Sequence, residues 1–167
     1  PLVGPGDIFS RCPYFWLSMC VGCTVEIICA VIYGPSRGEL WSAQKSARPK
    51  LNGREFRVSE RADLAEAIIS VGLSKTGMTI AAALPLLQQM IQRARKCRLM
   101  GSAALDMAYV ACGRFDAYIE QGISLWDVAA GWILVETAGG TVEMRPRTDM
   151  KEKYSIVASN GVIDLKL

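Results

Sequence analysis

Residues Gly101–Gly140 read GSAALDMAYVACGRFDAYIEQGISLWDVAAGWILVETAGG, and two segments of this stretch have a helical pattern. These segments are Leu105–Cys112 and Trp126–Ala138, both mainly apolar. Between them, Ala117–Glu120 is short and apolar and ends in a carboxylate, which is typical of a buried strand. The double glycine at the end of the stretch favours a helix stop there. The stretch therefore predicts a helix, a strand and a second helix.

Groups that can bind ions lie at the ends of these predicted elements. Gly101, Ser102 and Ala103 precede the first helix, where free backbone N–H groups and the helix dipole favour an anion. Glu120 ends the strand, and Asp127 lies in the opening turn of the second helix. An anion cradle with carboxylates that can hold a hard cation suits metal-assisted hydrolysis of a phosphate ester. The structural alternative is that small residues and an Asp open many helices, because Asp complements the dipole.

The same stretch resembles the C-terminal signature of the inositol monophosphatase family. The most specific segments are WDVAAG at Trp126–Gly131 and VETAGG at Val135–Gly140, and Gly101–Tyr118 also matches. The resemblance extends more weakly over nearly the whole chain. It implies an α/β fold of alternating helix and sheet layers, and Mg²⁺-dependent hydrolysis of a small phosphate monoester such as inositol monophosphate.

The resemblance also implies roles for individual residues. Gly101, Ser102 and Ala103 would lie against the substrate, and Glu120 would accept hydrogen bonds from hydroxyls of an inositol ring. Asp127 would hold a metal ion that stabilises the leaving oxygen. In the family, an activated water attacks phosphorus directly, without a covalent intermediate.

The beginning of the chain, PLVGPGDIFSRCP, aligns with the family's metal-binding loop, whose usual form is Asp-Pro-Leu-Asp-Gly-Thr followed by Asn-Phe. The resemblance implies that Leu2 offers its main-chain carbonyl to a cation and that Gly4 lines the phosphate. The first Asp has no counterpart, Val3 replaces the second Asp, and Pro5 replaces the Thr. Asp7 stands at the Asn position and could substitute for a lost carboxylate, although a polar loop residue is the simpler interpretation.

These replacements predict an impaired site with no intact catalytic residue. The side chain of Val3 has no oxygen to offer a cation, and Pro5 has neither a hydroxyl to orient water nor an N–H. The helical N-terminal region of the family, with its Glu-bearing segment, also has no counterpart, so the fold is interpreted as N-terminally truncated. The alternative hypothesis is a non-catalytic relative that acts as a binding or interaction module.

Outside the signature, the pattern predicts one domain over residues 1–167. Residues 1–60 would form the remainder of a first, antiparallel sheet, and residues 61–167 an α/β part that carries the signature. The predicted strands are Tyr14–Cys20, Thr24–Tyr33, Glu39–Ala43, Arg54–Val58, Ala67–Leu73, Lys96–Met100, Thr141–Met144 and Tyr154–Ala158. Predicted turns lie at Val21–Gly22, Gly34–Gly38 and Asn52-Gly53, and Ser59–Asp63 could cap a brief helical turn.

One further amphipathic helix is predicted within Thr79–Arg95. Ile80, Leu84, Leu87 and Ile91 recur at helical spacing and predict a core-facing stripe. Pro85 suggests that the regular helix starts near Leu84, with Pro in its first turn. Asp106 in the signature is interpreted as a structural hydrogen-bond partner, and Arg114 as a surface or salt-bridging residue.

Composition limits the classes of function. The 167 residues are 51% hydrophobic and 21% charged, which is typical of a globular protein. The net charge is only +3, and the basic cluster of residues 93–98 is interpreted as flanking a helix end, so no nucleic-acid partner is predicted. The longest apolar run, near Val25–Tyr33, is too short for a bilayer and no leader is visible, which predicts a cytoplasmic protein without a membrane partner.

Six cysteines and no histidines are present, and the lack of histidine excludes Ser-His-Asp and Cys-His catalysis. Cys20 and Cys23 have redox or zinc-ligand spacing, but buried free thiols in a reduced cytosol are the favoured interpretation. A sheet without its N-terminal helices would expose an apolar face, so a homo-oligomer is predicted.

Overall fold

The computed structural model describes residues 10, 15–23, 26–73 and 77–167, and it adds the backbone of Leu2 and Val3. Within the described residues, Cys23, Gly77 and Met78 are described by their backbone only. These residues form two sheets and three α-helices.

The first sheet, sheet A, is antiparallel and follows the order of the chain. Its strands are β1 (Leu2–Val3), β2 (Trp16–Cys23), β3 (Glu26–Gly34), β4 (Glu39–Gln44), β5 (Ala47–Leu51) and β6 (Arg54–Glu55). Residues alternate between the two faces, so Trp16, Ile32 and Trp41 point inward and are fully buried. The predicted antiparallel meander is therefore confirmed, and the β5–β6 turn at Asn52-Gly53 lies where it was predicted.

Two local predictions in sheet A are wrong. Val21 and Gly22 do not form a turn but lie inside β2, where β-branched Val21 pairs with Cys29 and a bulge follows it. Strand β5 was not predicted, and it contains Pro49, which lacks the N–H of a regular strand residue. Pro49 lies at the register shift between the pairs Ser42–Lys50 and Gln44–Ala47, where the ladder to β4 is interrupted and no N–H is needed.

The second sheet, sheet B, is mixed and has the strand order β10-β11-β9-β7-β8. Its strands are β7 (Ile68–Gly72), β8 (Lys96–Arg98), β9 (Ala117–Ile123), β10 (Thr141–Pro146) and β11 (Tyr154–Ser159). Strand β7 pairs in parallel with β8 and β9, whereas β11 is antiparallel to β9 and β10. The helices are α1 (Gly77–Arg93), α2 (Ala103–Ala111) and α3 (Leu125–Thr137).

Helices and sheets alternate in layers, as the resemblance implied. Helices α2 and α3 share one core with the inner face of sheet A and one face of sheet B, while α1 packs on the other face of sheet B. Close packing of the helix pair depends on Gly131, because a Cβ there would come within 2.5 Å of the Cβ of Met107. Arg114 ties sheet A to this layer through an ion pair with Glu39 and by lying 4.8 Å from the ring centroid of Tyr109, which confirms its predicted salt-bridging role.

The predicted start and buried face of α1 are wrong. The helix begins at Gly77 and continues through Pro85. Ile80, Leu84 and Ile91 are 41%, 52% and 60% exposed, and only Leu87 of the predicted stripe packs against the core. Sheet B is instead covered by the neighbouring helix face, which buries Thr79, Ala83 and Met90.

Shorter features agree more closely with the sequence. The side chain of Asp63 accepts the N–H of Ala65 at 2.9 Å and caps a 3-10 turn, Leu64–Glu66. Among the described cysteines, Cys20 is a free, exposed thiol, so the predicted burial is wrong there, and the exposed face of β2 explains it. No described helix is long and apolar enough to span a bilayer.

Candidate active site

A cavity of about 220 Å³ lies at the carboxyl ends of parallel strands β7 and β9. This edge of a parallel sheet is where α/β proteins usually bind ligands, because the loops after the strands diverge there. Five residues singled out in the sequence line this one cavity: Gly101, Ser102, Ala103, Glu120 and Asp127. Gly72, at the end of β7, was not predicted and also lines it.

The start of helix α2 forms one wall of the cavity. Gly101 has a φ of 73°, a left-handed conformation that favours glycine, and it turns the chain into the helix. Ser102 is the N-cap, and its Oγ accepts the N–H of Leu105 at 3.4 Å. The N–H groups of Ala103 and Ala104 belong to the first turn and have no acceptor within the helix. The wall can therefore donate hydrogen bonds to an anion.

Glu120, in the middle of β9, also lines the cavity. It is only 7% exposed, and its Oε2 accepts a hydrogen bond from the hydroxyl of fully buried Tyr118. Burial raises the pKa of Glu120, the Tyr118 hydrogen bond lowers it, and the charge of Asp127 raises it. Gly72 pairs with Glu120 in the parallel register, and a Cβ at Gly72 would overlap the Glu120 carboxylate. The site therefore needs glycine at position 72.

Asp127 lies in the first turn of α3, three residues after the N-cap Ser124. Its side chain is half-buried, and burial raises its pKa. The charge of Lys153 and a hydrogen bond from the Ser124 backbone lower that pKa. Asp127 thus also complements the dipole at the start of α3, which is the structural role that the sequence left open as an alternative.

Lys153 was missed by the sequence interpretation, which assigned no role to the charged loop before β11. Its Nζ donates a hydrogen bond to the Oγ of Ser124 at 2.7 Å. Tyr154 pairs with Ile123 in the antiparallel register of β11 and β9. Lys153, which precedes Tyr154, therefore lies opposite Ser124, which follows Ile123. Only that long-range register could have indicated the contact.

Asp106 lies behind the cavity and is 1% exposed. Its Oδ1 accepts the hydroxyl of Ser70 at 2.7 Å, which confirms the predicted structural hydrogen bond. Burial raises the pKa of Asp106 to about 7, against the lowering effect of Ser70. Its Oδ2 is buried without a hydrogen-bond partner among the described residues, which also favours the protonated acid.

The predicted N-terminal part of the site is only partly described. Leu2 and Val3 form β1, with Leu2 opposite Leu17 and Val3 opposite Trp16. Gly4, Pro5 and Asp7 lie outside the described residues, so their predicted roles stay predictions.

The described donors fit a hard divalent cation in kind but do not complete its coordination. Two partly buried carboxylates, Glu120 and Asp127, face one cavity and repel each other electrostatically, so a cation between them would be favoured. A divalent ion prefers about six oxygen ligands. Within the described ranges, no group of three or more acidic, Cys or His side chains could hold a metal.

The fold and the cavity together define a class: layered α/β proteins whose site combines a helix N-terminus with acidic side chains at the carboxyl ends of parallel strands. More narrowly, the chain belongs to the inositol monophosphatase family, whose model matches residues 9–166. Both the resemblance and the layered fold that it implied are thereby confirmed.

Relatives of known name agree with this assignment. The chain is 40% identical over 168 residues to Nus factor SuhB of Xylella fastidiosa, covering 96% of this chain and 61% of that protein. It is 36% identical over 169 residues to inositol-1-monophosphatase of Mesorhizobium japonicum, covering 100% of this chain and 64% of that protein. The structure of inositol monophosphatase from Anabaena (Nostoc) superimposes with a TM-score of 0.87 at 32% identity, covering 97% of this chain and 65% of that one. The chain thus spans less than two thirds of the length of these relatives.

Proposed function

We propose that this chain carries the substrate-binding part of a metal-dependent phosphate monoester hydrolase, with inositol monophosphate as substrate and Mg²⁺ as the metal. The observation that carries the proposal is the meeting of Gly101, Ser102, Ala103, Glu120 and Asp127 around one cavity. Family membership supports hydrolysis of phosphate monoesters.

The start of α2 would bind the phosphate. The N–H groups of the first turn point out of the helix end, and the dipole places partial positive charge there. The Oγ of Ser102 accepts the N–H of Leu105 and keeps its own O–H, so both this hydroxyl and the backbone could donate to the anion.

Glu120 would recognise the polyol ring. Tyr118 donates to its Oε2, which fixes the carboxylate against β9. The carboxylate retains further lone pairs that can accept hydrogen bonds from ring hydroxyls.

Asp127 would hold the cation, together with the main-chain carbonyl of Leu2. When bound, Mg²⁺ would supply positive charge that stabilises the leaving oxygen. The half-buried position of Asp127 limits the access of water to its carboxylate and so strengthens charge interactions there.

We further propose that this activity is impaired. Val3 offers no side-chain oxygen at a ligand position, and Pro5 offers neither a hydroxyl nor an N–H. Loss of one preorganised donor alone typically costs about 10²–10³ in rate.

The second candidate function is therefore a non-catalytic binding or interaction module. The name Nus factor, carried by a relative 40% identical to this chain, favours an interaction role for this alternative.

Three further properties are proposed with this function. Residues 1–167 would act as one domain, in the cytoplasm, and would self-associate through the exposed face of sheet A. The absence of a nucleic-acid or membrane partner likewise stays a proposal, and the Nus factor name makes the nucleic-acid partner the first one to test.

The test is calorimetric titration with Mg²⁺, with and without inositol 1-phosphate, followed by phosphate-release assays. Four proteins are compared: the chain as written, the Val3→Asp/Pro5→Thr double variant, the same double variant with Asp127→Asn, and an Asp164→Asn control on the surface. We expect weak Mg²⁺ binding and turnover in the original chain, recovery of Mg²⁺ binding in the double variant, and loss of that recovery with Asp127→Asn. Tight Mg²⁺ binding and rapid turnover by the original chain would overturn the impairment. No recovery in the double variant would favour the interaction module.

A further inference from the structure

Lys153 is placed beside the cavity by sheet B. It directly precedes β11, whose first residue pairs with Ile123 at the end of β9. Its backbone is held as well, since its carbonyl accepts the N–H of Arg147 at 2.8 Å. Lys153 is therefore fixed opposite Ser124, the residue that connects β9 to α3.

The ammonium group of Lys153 is also fixed. It donates to the Oγ of Ser124 at 2.7 Å, and Ser124 is only 1% exposed. The Ser124 hydroxyl makes no capping bond to the helix, so it is used for Lys153. A flexible Lys is thus tied to the start of the helix that carries Asp127.

This positive charge acts on both acidic groups of the cavity. Burial is the largest influence on the pKa values of Asp127 and Glu120, and it raises both. The charge of Lys153 opposes this effect and lowers both pKa values. Yet Lys153 takes part in none of the salt bridges formed by the described residues. Lys153 therefore acts on the two carboxylates electrostatically without forming an ion pair with either of them.

We propose that Lys153 is a fixed internal counter-cation of this site, and that its charge sets how strongly Glu120 and Asp127 bind a divalent cation. This inference rests on the proposed function, because it assigns Lys153 to the same carboxylates. Lys153 partly neutralises the acidic pair and repels an incoming cation, so it weakens metal binding by the chain.

A purely structural role for Lys153 predicts a different behaviour. If the Lys153–Ser124 hydrogen bond only fastened the β9–α3 connection, loss of the donor would loosen Asp127 and weaken cation binding, and removal of the charge alone would not strengthen it. The two roles therefore differ in the sign of the effect on affinity.

The test compares Lys153→Gln, which removes the charge but keeps a donor for Ser124, with Lys153→Arg, which keeps the charge. Lys151→Gln, at an exposed Lys on the same loop, is the matched control for net charge. Mg²⁺ binding is measured by calorimetry at low ionic strength, and Tb³⁺ binding by luminescence excited through Trp126 beside Asp127. Thermal melting without metal reports any structural loss, and Asp127→Asn shows that the measured ion occupies this site.

We expect Lys153→Gln to bind Mg²⁺ about tenfold more tightly than the original chain, an increase that added salt reduces. Lys153→Arg and Lys151→Gln should bind as the original does. Unchanged or weaker binding by Lys153→Gln would overturn the inference, and so would an equal gain in Lys151→Gln. If Lys153→Gln binds Mg²⁺ and the original chain does not, the inference is supported, but the proposal that the original chain binds Mg²⁺ is wrong. Equal Mg²⁺ binding by the original chain and Lys153→Gln would leave the proposed function intact and exclude this role of Lys153. No Mg²⁺ binding by either protein would overturn both the proposed function and the inference.

Discussion

The hydroxyl of Tyr118 donates a hydrogen bond to the carboxylate of Glu120, two residues farther along the same face of β9. Tyr118 is fully buried in the core shared by sheet B and the helix pair, whereas Glu120 reaches the cavity. The period of two in a strand makes this pairing possible, since alternate residues share a face. The core thereby holds the acidic group of the site in one orientation.

Tyr118→Phe should destabilise the protein more when Glu120 is charged than when it is protonated. The Tyr hydrogen bond favours the carboxylate and lowers its pKa, so its loss costs more at pH 7 than at pH 4. We expect a loss of about 2 kcal/mol at pH 7, measured by urea unfolding at both pH values. Tyr33→Phe, on the outer face of sheet A, is the control. An equal loss at the two pH values would contradict this role of Tyr118.

Gly72→Ala should displace the Glu120 carboxylate, because the added methyl group would occupy its position. We expect at least tenfold weaker binding of inositol 1-phosphate by calorimetry in the Val3→Asp/Pro5→Thr background, with a stability loss of about 1–3 kcal/mol. Gly131→Ala is the matched control, since its methyl group would meet Met107 between the helices and not Glu120. It should lower stability without changing ligand affinity. Equal losses of affinity in both variants would show that packing alone is responsible.

Much of the candidate site could be predicted because its residues lie in one continuous stretch. Gly101, Ser102, Ala103 and Asp127 lie at helix starts, which local patterns reveal. Glu120 was found as a carboxylate in an apolar strand, although the predicted strand end at Glu120 is wrong because β9 continues to Ile123. Gly72 and Lys153 could not be found in this way. Gly72 reaches the cavity and Lys153 reaches Ser124 through strand register between segments far apart in sequence, which no local pattern encodes.

The helix α1 shows the limit of periodicity for the fold. The apolar spacing of Ile80, Leu84 and Ile91 correctly indicated a helix but not which face is buried. Sheet B accepts the face with smaller Ala83 and flexible Met90, because a helix can approach a sheet closely where its side chains are small. Which face packs depends on the surface it meets, and that surface is built by other parts of the chain.

Asp106 should make the protein less stable as the pH rises. Burial raises its pKa from 3.8 to about 7 in the folded state, so the folded protein binds more protons than the unfolded chain between these values. The free energy of unfolding should therefore fall from pH 4 to pH 7, by at most on the order of 4 kcal/mol from this group. In Asp106→Asn this contribution should disappear, as urea unfolding across that pH range will show, while Asp164→Asn should retain it. A pH profile unchanged by Asp106→Asn would contradict the raised pKa.

The outer face of sheet A should mediate self-association. Leu17, Met19 and Val21 alternate along β2 and are 39%, 58% and 62% exposed, and Leu40 on β4 extends the same apolar face. Contiguous apolar surface of this kind on a sheet favours burial against another protein surface. We expect concentration-dependent oligomers in analytical ultracentrifugation, and Met19→Lys/Val21→Lys should shift the equilibrium to the monomer without lowering the melting temperature. Leu84→Lys/Ile91→Lys, on the exposed stripe of α1, is the comparison. A loss of oligomers only in the α1 variant would assign the interface to that helix, and a monomer at every concentration would contradict self-association altogether.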